Sequence, residues 1–209
     1  MEFRELTVPG AWEVTSRQFT DSRGVFLEAF SEPAFVKAVG HPLDLRQANT
    51  SVSAAGVLRG IHFADVPPSQ AKYVTCLRGA VLDVVVDIRV GSPTFGRWES
   101  VLLDDVDRRA INVSEGLGHA FFSLEDDSTV TYLCSATYAP GREHGINPLD
   151  PELGIKWPTT DRAGRALEPI LSDKDRTAPG LQQARDAGLL PRWADVQAYI
   201  ASLRGTAGA

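Results

Sequence analysis

The chain has 209 residues, of which 43% are apolar and 23% are charged, and its formal net charge is −6 at pH 7. This length can bury a sizeable core, either in one large domain or in a compact domain with a tail. The acidic balance disfavours a nucleic-acid-binding protein, which usually carries a basic face.

The N-terminal sequence MEFRE is charged and lacks the apolar core of a signal peptide. No segment approaches the roughly 18 apolar residues of a membrane span. Cys76 and Cys134 lie in apolar, strand-like runs without a C-x-x-C spacing, which predicts buried, reduced thiols. We therefore expect a cytoplasmic protein that binds neither membranes nor nucleic acid.

The middle of the chain is predicted to be rich in β-strands, which are separated by turn signals such as DSRG and GSP. The predicted strands cover residues 12–19, 25–30, 57–63, 73–77, 80–89, 98–103, 109–113, 120–124 and 129–138. Many short strands at close spacing favour a sandwich or barrel over alternating βαβ units.

Helices are predicted at three places. A short helix over 31–39 would have Ser31 as its cap and Gly40 at its end. Two more are predicted over 181–190 and 194–203. The last of these gathers apolar side chains on one face, namely Trp193, Val196, Tyr199, Ile200 and Leu203.

The stretch VLRGIHF (57–63) is an apolar run that contains a cation, Arg59, and an imidazole, His62. Burying such groups costs free energy unless each has a partner or a function. In QANTSVS (47–53), strand alternation puts Gln47 and Asn49 on one polar face. That face could be solvated, or it could line a cavity.

The same alternatives hold for Asp83 and Asp87, which lie opposite the apolar face of AVLDVVVDIR (80–89). Tyr132 and Tyr138 share a strand face, and a buried tyrosine with a satisfied hydroxyl is the commoner explanation for each.

Several site types have no support in the sequence. A cupin metal site uses an H-x-H pair, but the residue two after His62 is Ala64. There is no G-x-S-x-G nucleophile motif and no G-x-G-x-x-G dinucleotide motif. We therefore expect neither a metal nor a cofactor.

What remains is a set of titratable and cationic side chains on strands: Arg59, His62, Lys72, Asp83, His119 and Tyr132. A histidine and a tyrosine that face a cavity can accept and donate a proton. Arginine and lysine suit a phosphorylated substrate or a developing oxyanion. Without metal or cofactor, such a set fits proton abstraction next to a carbonyl group.

The sequence resembles the dTDP-4-dehydrorhamnose 3,5-epimerase family of cupin-like enzymes over residues 19–175. The matching stretches are FTDSRGVFLEAF (19–30), QANTSVS (47–53), VLRGIHF (57–63), AKYVTCLRGAVLDVVVDIRVGSPTFG (71–96), EGLGHAFFSL (115–124), TYLCSATYAPGREHGINPLDPELGIKW (131–157) and ILSDKD (170–175). Their combination is far more specific than any one motif.

The resemblance implies a role for each matching residue. His62 falls on the catalytic base, Asp175 on the carboxylate that orients it, and Tyr132 on the proton donor at the opposite face of the sugar. Lys72 falls on the lysine near the keto oxygen. The implied substrate contacts are Arg23, Phe26, Glu28, Gln47, Asn49, Arg59, His119, Tyr138, Glu143 and Lys174. Asp83 is implied to support the pocket from behind, whereas Asp87 stays ambiguous.

One conflict follows from these roles. Arg59 and His62 have opposite strand parity, so a regular strand would point them to opposite faces. We therefore predict a bulge or twist at Gly60.

The resemblance also implies the architecture and the reaction. The expected fold is mainly β, a cupin-like jelly-roll sandwich or barrel, with an epimerase domain at 1–176 and a helical extension at 177–209. The family forms homodimers in which N-terminal strands reach the partner subunit. The implied reaction converts dTDP-4-dehydro-6-deoxy-D-glucose to dTDP-4-dehydro-L-rhamnose. A 3- or 5-mono-epimerase of antibiotic-sugar pathways and a non-catalytic cupin that binds a nucleotide sugar remain alternatives.

Overall fold

The computed structural model describes residues 1–206, which form a β-sandwich with helices on its outer faces. The strands are β1 (Glu2–Glu5), β2 (Ala11–Thr15), β3 (Gln18–Asp21), β4 (Gly24–Leu27), β5 (Gln47–Ser53), β6 (Leu58–Ala64), β7 (Lys72–Arg78), β8 (Ala80–Val86), β9 (Trp98–Asp104), β10 (Ala110–Val113), β11 (Gly118–Ser123), β12 (Ser128–Cys134) and β13 (Glu143–Gly145). The helices are α1 (Glu32–Val39), α2 (Asp173–Arg176), α3 (Leu181–Asp186) and α4 (Trp193–Thr206).

Two antiparallel sheets face each other. The first has six strands in the order β1-β2-β10-β7-β12-β5, and the second has five in the order β13-β6-β11-β8-β9. Buried aliphatic residues from both sheets fill the space between them, including Val74 and Ile111 of the first sheet and Val81 and Val85 of the second. Such interdigitated inner faces are what hold a β-sandwich together. The predicted cupin-like, mainly β fold is confirmed.

Helix α1 covers the outer face of the six-stranded sheet, where Phe35 and Val39 pack against Tyr73. Gly40 ends the helix with φ of +95° and donates its N–H to the Val36 carbonyl. This left-handed cap favours glycine because glycine lacks a Cβ. The predicted helix and its end at Gly40 are confirmed.

Helix α3 covers the opposite side of the molecule, whereas α4 lies beside α1, where Arg204 donates to the Val39 carbonyl. Leu181 and Ala184 of α3 pack on the outer face of the five-stranded sheet against Phe63. Helix α3 is shorter than predicted, because the chain turns at Gly188, where φ is +70°. Helix α4 buries Val196 and Ile200. No helix within residues 1–206 is long and apolar enough to cross a membrane.

Three elements were not predicted. Strands β1 and β13 are only four and three residues long, and α2 is a four-residue helix. Elements this short contain too few residues to display a periodic pattern. The prediction of one strand over 12–19 was also wrong, because β2 ends at Thr15 and β3 begins at Gln18.

The two cysteines lie in the strands where the sequence put them. Cys76 is in β7 and Cys134 is the last residue of β12, and both are free and buried. The prediction of buried thiols is confirmed.

Candidate active site

A cavity of about 460 Å³ lies where β6, β13 and α2 meet. This volume is in the range of small-molecule sites. Its lining combines charged, aromatic and aliphatic groups from Val57, Leu58, Arg59, His62, Tyr138, Glu143, His144, Ile170, Leu171, Ser172, Lys174 and Asp175. Five of the residues singled out from the sequence are therefore brought together with His62 around one space: Arg59, Tyr138, Glu143, Lys174 and Asp175.

Arg59 and His62 both line this cavity because β6 has a bulge between them. Across the ladder to β11, His62 pairs with His119 but Arg59 pairs with Phe121, so β6 contains one extra residue there. Gly60 sits in the bulge with φ of +114°, and a Cβ at this position would approach the His119 carbonyl oxygen to 2.5 Å. Only glycine fits such a conformation. The predicted irregularity at Gly60 is confirmed.

His62 is held by a carboxylate that lies 113 residues away in the sequence. Its Nε2 is 2.7 Å from Oδ1 of Asp175. Since a carboxylate only accepts hydrogen bonds, Nε2 carries the proton and Nδ1 carries the lone pair in the neutral ring. The His62 side chain is 40% exposed, whereas that of Asp175 is 7% exposed. The pair therefore presents a basic nitrogen on an exposed ring with a buried anion behind it.

Asp175 is fixed in turn by the first turn of α2. The Ser172 hydroxyl caps this helix by accepting the Asp175 N–H at 3.1 Å, and it donates to Asp175 Oδ2 at 2.8 Å. Burial alone would raise the pKa of Asp175, but the hydrogen bond and charge of His62, with help from Ser172 and the Gly60 N–H, hold this pKa below its ordinary value. Asp175 is therefore ionised at neutral pH.

A second histidine–carboxylate pair lies beside the first. His119 is the cross-strand neighbour of His62. Its Nε2 lies 2.9 Å from both carboxylate oxygens of Asp83, and both side chains are buried. The interpretation of Asp83 as an exposed strand residue is wrong, because Asp83 is fully buried and bonded to His119. His119 itself is not among the residues that line the cavity, so its contact with a substrate stays a prediction.

The six-stranded sheet contributes the opposing groups. Lys72 and Tyr132 point inward from β7 and β12, where Lys72 pairs with Cys134 and Tyr132 pairs with Asn49 across the ladders. The charge of Glu143 acts on both Lys72 and Tyr132, and Arg59 acts on Tyr132. Lys72 and Tyr132 are therefore close enough to Glu143 to interact with its charge, but neither is among the residues that line the 460 Å³ cavity.

Burial controls the protonation of the opposing groups. Burial lowers the pKa of the Lys72 ammonium, and the negative charges of nearby Glu143 and Asp83 partly oppose this. Burial raises the pKa of the Tyr132 phenol, which the positive charge of Arg59 and a hydrogen bond from Asn49 partly oppose. Tyr132 is therefore a protonated phenol at neutral pH.

Gln47 and Asn49 lie on the inward face of β5. Gln47 donates to Asn49 Oδ1 at 2.9 Å and accepts the Tyr138 backbone N–H at 2.9 Å. The Tyr138 ring itself is 58% exposed at the cavity. The polar face of QANTSVS is thus partly buried, and the purely solvated interpretation is wrong.

Arg23, Phe26 and Glu28 do not line the cavity of this single chain. The first two lie on the hairpin of β3 and β4, and Glu28 directly follows it. The Arg23 side chain is 88% exposed and pairs with Asp21. Phe26 is 72% exposed.

Two polar residues of the cavity, Ser172 and His144, were missed in the sequence. Ser172 could have been found from the S-x-x-D spacing of Ser172 and Asp175, which is typical of a helix start. His144 lines the cavity, and its Nε2 is 2.7 Å from Asp65 Oδ1. No local pattern signals that pair, because its partners are 79 residues apart.

Fold and cavity together define a cupin-like protein in which one sheet carries two histidines, each bonded to a carboxylate, and the other sheet carries an inward-pointing lysine and tyrosine. The model of the dTDP-4-dehydrorhamnose 3,5-epimerase family matches residues 5–183. The chain belongs to this family.

Individual relatives agree with that assignment. The chain is 63% identical over 204 residues to a dTDP-4-dehydrorhamnose 3,5-epimerase of Mycolicibacterium smegmatis, covering 98% of each chain. It is similar to the solved rmlC epimerase of Mycobacterium tuberculosis, with a TM-score of 0.93 and 59% identity over 97% of this chain and 100% of that one. It is also similar to ChmJ, a 3'-monoepimerase from Streptomyces bikiniensis solved with dTDP-quinovose, with a TM-score of 0.90 and 50% identity over 95% and 98% of the chains.

Proposed function

We propose that this protein is a dTDP-4-dehydrorhamnose 3,5-epimerase, which converts dTDP-4-dehydro-6-deoxy-D-glucose to dTDP-4-dehydro-L-rhamnose by moving protons at C3 and C5. The observation that carries the proposal is the 2.7 Å contact of His62 with the buried Asp175 at a cavity. A basic imidazole in such a setting suits a carbon acid.

In the proposed mechanism, the 4-keto group acidifies the C–H bonds at C3 and C5. His62 takes a proton on Nδ1, because Nε2–H is bound to Asp175. Asp175 keeps the ring in this tautomer and stabilises the imidazolium that forms. The electron pair of the broken C–H bond moves onto the keto oxygen as an enolate.

Lys72 is proposed to stabilise that enolate. Its side chain is half-buried, and a fixed positive charge in such a setting interacts more strongly with a developing oxyanion than it would in water. Its interactions with Glu143 and Asp83 help to keep the side chain charged despite burial.

Tyr132 is proposed to return a proton on the opposite face of the ring, so that the stereocentre inverts. The proposal is supported by its position on the sheet opposite His62 and by burial, which raises the pKa of the phenol and keeps it protonated. A proton removed on one side and added on the other is the minimum requirement for epimerisation.

The remaining cavity residues are proposed to hold the nucleotide sugar. Arg59 and Lys174 provide positive charge for the diphosphate. Tyr138 offers an exposed ring for the thymine base. Contacts to the sugar or the nucleotide are proposed for Gln47, Asn49, His119 and Glu143.

We propose that the protein works as a homodimer and that the hairpin of β3 and β4 delivers Arg23, Phe26 and Glu28 to the partner's cavity. The hairpin exposes Phe19 to 50% and Phe26 to 72%, and such exposed aromatic side chains are typical of protein interfaces. Sedimentation at micromolar concentration is expected to yield a dimer. A stable, active monomer would contradict the proposal.

The chain is proposed to comprise an epimerase domain at 1–176 and an extension at 177–209, of which 207–209 lie outside the described residues. The packing of Leu181 and Leu190 with Ile61 and Phe63 supports an extension that is built into the fold. Two buried, free cysteines fit a reducing compartment, so a cytoplasmic location is proposed.

A mono-epimerase is the second candidate, because ChmJ is described as a 3'-monoepimerase and is 50% identical to this chain. The reaction in heavy water separates the candidates. We expect deuterium at both C3 and C5 of the recovered sugar by NMR. Label at only one carbon would favour the mono-epimerase, and no label would favour a non-catalytic binding protein.

The role of Tyr132 is tested in the same assay with Tyr132→Phe. His62 can remove and return a proton on its own face, which gives exchange with retention, whereas inversion also needs the donor. The variant is therefore expected to lose inversion more than exchange. Unchanged inversion would mean that water or another residue donates the proton.

A further inference from the structure

Arg59 lines the cavity with an exposed side chain that is held at one nitrogen. Its Nε donates to the hydroxyl oxygen of Ser53 at 3.2 Å. Within residues 1–206, neither terminal nitrogen of the guanidinium makes a hydrogen bond or an ion pair. An arginine carries N–H donors on all three nitrogens in one rigid plane. The bond to Ser53 therefore leaves the end of the guanidinium that has two nitrogens available to a ligand.

Ser53 differs from Arg59 in burial. It is 3% exposed, and it is not among the residues that line the cavity. Ser53 ends β5 of the six-stranded sheet, where it pairs with Ser128 of β12, whereas Arg59 lies in β6 of the five-stranded sheet. The hydroxyl is therefore an acceptor that one sheet holds in place for a cation on the other sheet.

The bond to Ser53 limits the freedom of Arg59 without using its terminal nitrogens. A long, exposed arginine side chain has many rotamers, and a ligand that fixes one of them loses affinity to conformational entropy. A carboxylate partner would also fix the side chain, but it would occupy the nitrogens that suit a phosphate group. A neutral hydroxyl at Nε avoids this competition.

We infer that Ser53 is a positioning residue, which holds the Arg59 guanidinium so that its terminal nitrogens are presented to the diphosphate of the nucleotide sugar. The inference rests on the proposed function, in which Arg59 binds that diphosphate. Ser53 acts through Arg59 and does not touch the ligand. Its contribution is therefore expected in binding and not in the movement of protons at the sugar.

The experiment compares the binding of two ligands to wild type and to Ser53→Ala. Calorimetry measures the affinity for dTDP, and an NMR titration measures the affinity for thymidine, which lacks the diphosphate. Loss of one hydrogen bond is expected to weaken dTDP binding roughly 3–10-fold. Thymidine binding is expected to stay within about twofold of wild type, because it gives Arg59 no phosphate to bind. Unchanged dTDP affinity, or equal losses for both ligands, would overturn the inference.

Steady-state kinetics with the nucleotide sugar provide a second measurement. The KM of Ser53→Ala should rise by the same roughly 3–10-fold, whereas kcat should stay within about twofold of wild type. This split is expected because the substitution leaves the contact between His62 and Asp175 in place. A fall in kcat at unchanged KM would contradict a positioning role at the diphosphate.

Ser123→Ala is the matched control for the loss of a buried serine hydroxyl. Ser123 is fully buried, and its hydroxyl donates to the Glu125 carbonyl. The control should bind dTDP as wild type does, and thermal unfolding should show that both variants are folded. If Ser123→Ala lost as much dTDP affinity as Ser53→Ala, the effect would belong to burial and the inference would be wrong.

A double variant isolates the bond between Ser53 and Arg59. Arg59→Lys keeps a positive charge but has no N–H group at the position of Nε. In this background, adding Ser53→Ala should weaken dTDP binding no further. A further loss as large as that in the wild-type background would overturn the inference. A wild type that bound no dTDP and exchanged no proton at C3 or C5 would contradict the proposed function instead, so the two failures are distinguishable.

Discussion

Asp83 and Asp87 are four residues apart in the sequence, both are fully buried, and they anchor two different regions. Asp83 lies in β8 and makes both of its contacts with one ring nitrogen of His119, at 2.9 Å. Asp87 follows β8 and accepts hydrogen bonds from the Arg89 guanidinium at 2.8 and 2.9 Å and from the hydroxyls of Ser92 and Thr94.

The two regions differ in whether the partner of the buried carboxylate has a hydrogen-bonding group that the network does not use. Around Asp87 the network is closed, because Arg89 also donates to the Pro9 carbonyl and stacks on Trp193 with 4.5 Å to the ring centroid. An imidazole has two ring nitrogens, and Asp83 occupies only one of them. Burial of a carboxylate therefore does not identify a functional group. A buried carboxylate is a better sign of a functional site when its partner keeps a second nitrogen that the carboxylate does not occupy, as His119 and His62 do.

The largest effect is expected at the site, from His62→Ala. Loss of a general base typically reduces rates by about 10²–10⁴. We expect a loss of this size for exchange at both C3 and C5, measured by deuterium incorporation. The thermal unfolding midpoint should stay near that of wild type, because the His62 ring is partly exposed. Near-normal exchange in the variant would mean that the base lies elsewhere.

A substitution in the closed network around Asp87 should lower the stability of the fold, in contrast to the loss of rate expected at His62. Arg89→Leu leaves the carboxylate of Asp87 buried without its cation, and breaking a buried pair in this way costs about 3–5 kcal/mol. Chemical denaturation would measure the loss. Arg185→Leu, in the exposed pair with Asp186, is the control and should change stability by less than about 1 kcal/mol. Equal free energies of unfolding for Arg89→Leu and Arg185→Leu would contradict the role of the Asp87 network in stability.

Asp83→Asn sharpens the comparison, because it alters a buried carboxylate that supports the site. The variant loses the charge-assisted hydrogen bond to His119, and a loss of this size corresponds to roughly 10–100-fold in rate. We expect kcat/KM to fall within this range with little change in the unfolding midpoint. A large loss of stability with normal kcat/KM would assign Asp83 to the same class as Asp87.

The smallest effect concerns acid stability. The folded protein holds the pKa of Asp175 below its ordinary value of 3.8, so the ionised carboxylate stabilises the fold above that pH. This contribution is lost as the pH falls through the lowered pKa. Wild type should therefore lose more free energy of unfolding than Asp175→Asn between about pH 5 and pH 3. Parallel losses in denaturation curves at the two pH values would contradict this expectation.

Local patterns in the sequence determined much of the fold. The alternation in 47–53 predicted a strand that the structure contains, because side chains of a strand point to opposite faces in turn. The short strands predicted over 57–63 and 98–103 are also present. Ser31 and Gly40 bounded α1 correctly, although the Ser31 side chain makes no capping hydrogen bond and only the Gly40 N–H caps the helix, at the Val36 carbonyl. The opposite parity of Arg59 and His62, taken with the roles that the family resemblance implied for both, predicted the bulge at Gly60.

The tertiary structure alone decided which polar groups meet and which are buried. His62 and Asp175 are 113 residues apart, and their contact exists only after β6 and α2 have docked. Alternation put Asp83 and Asp87 opposite an apolar face and left exposure open. In the fold both faces of β8 are covered, one by the opposite sheet and one by the C-terminal extension. The alternation within a strand shows which side chains share a face. It does not show whether a face is buried, because the layers that cover each face come from distant segments of the chain.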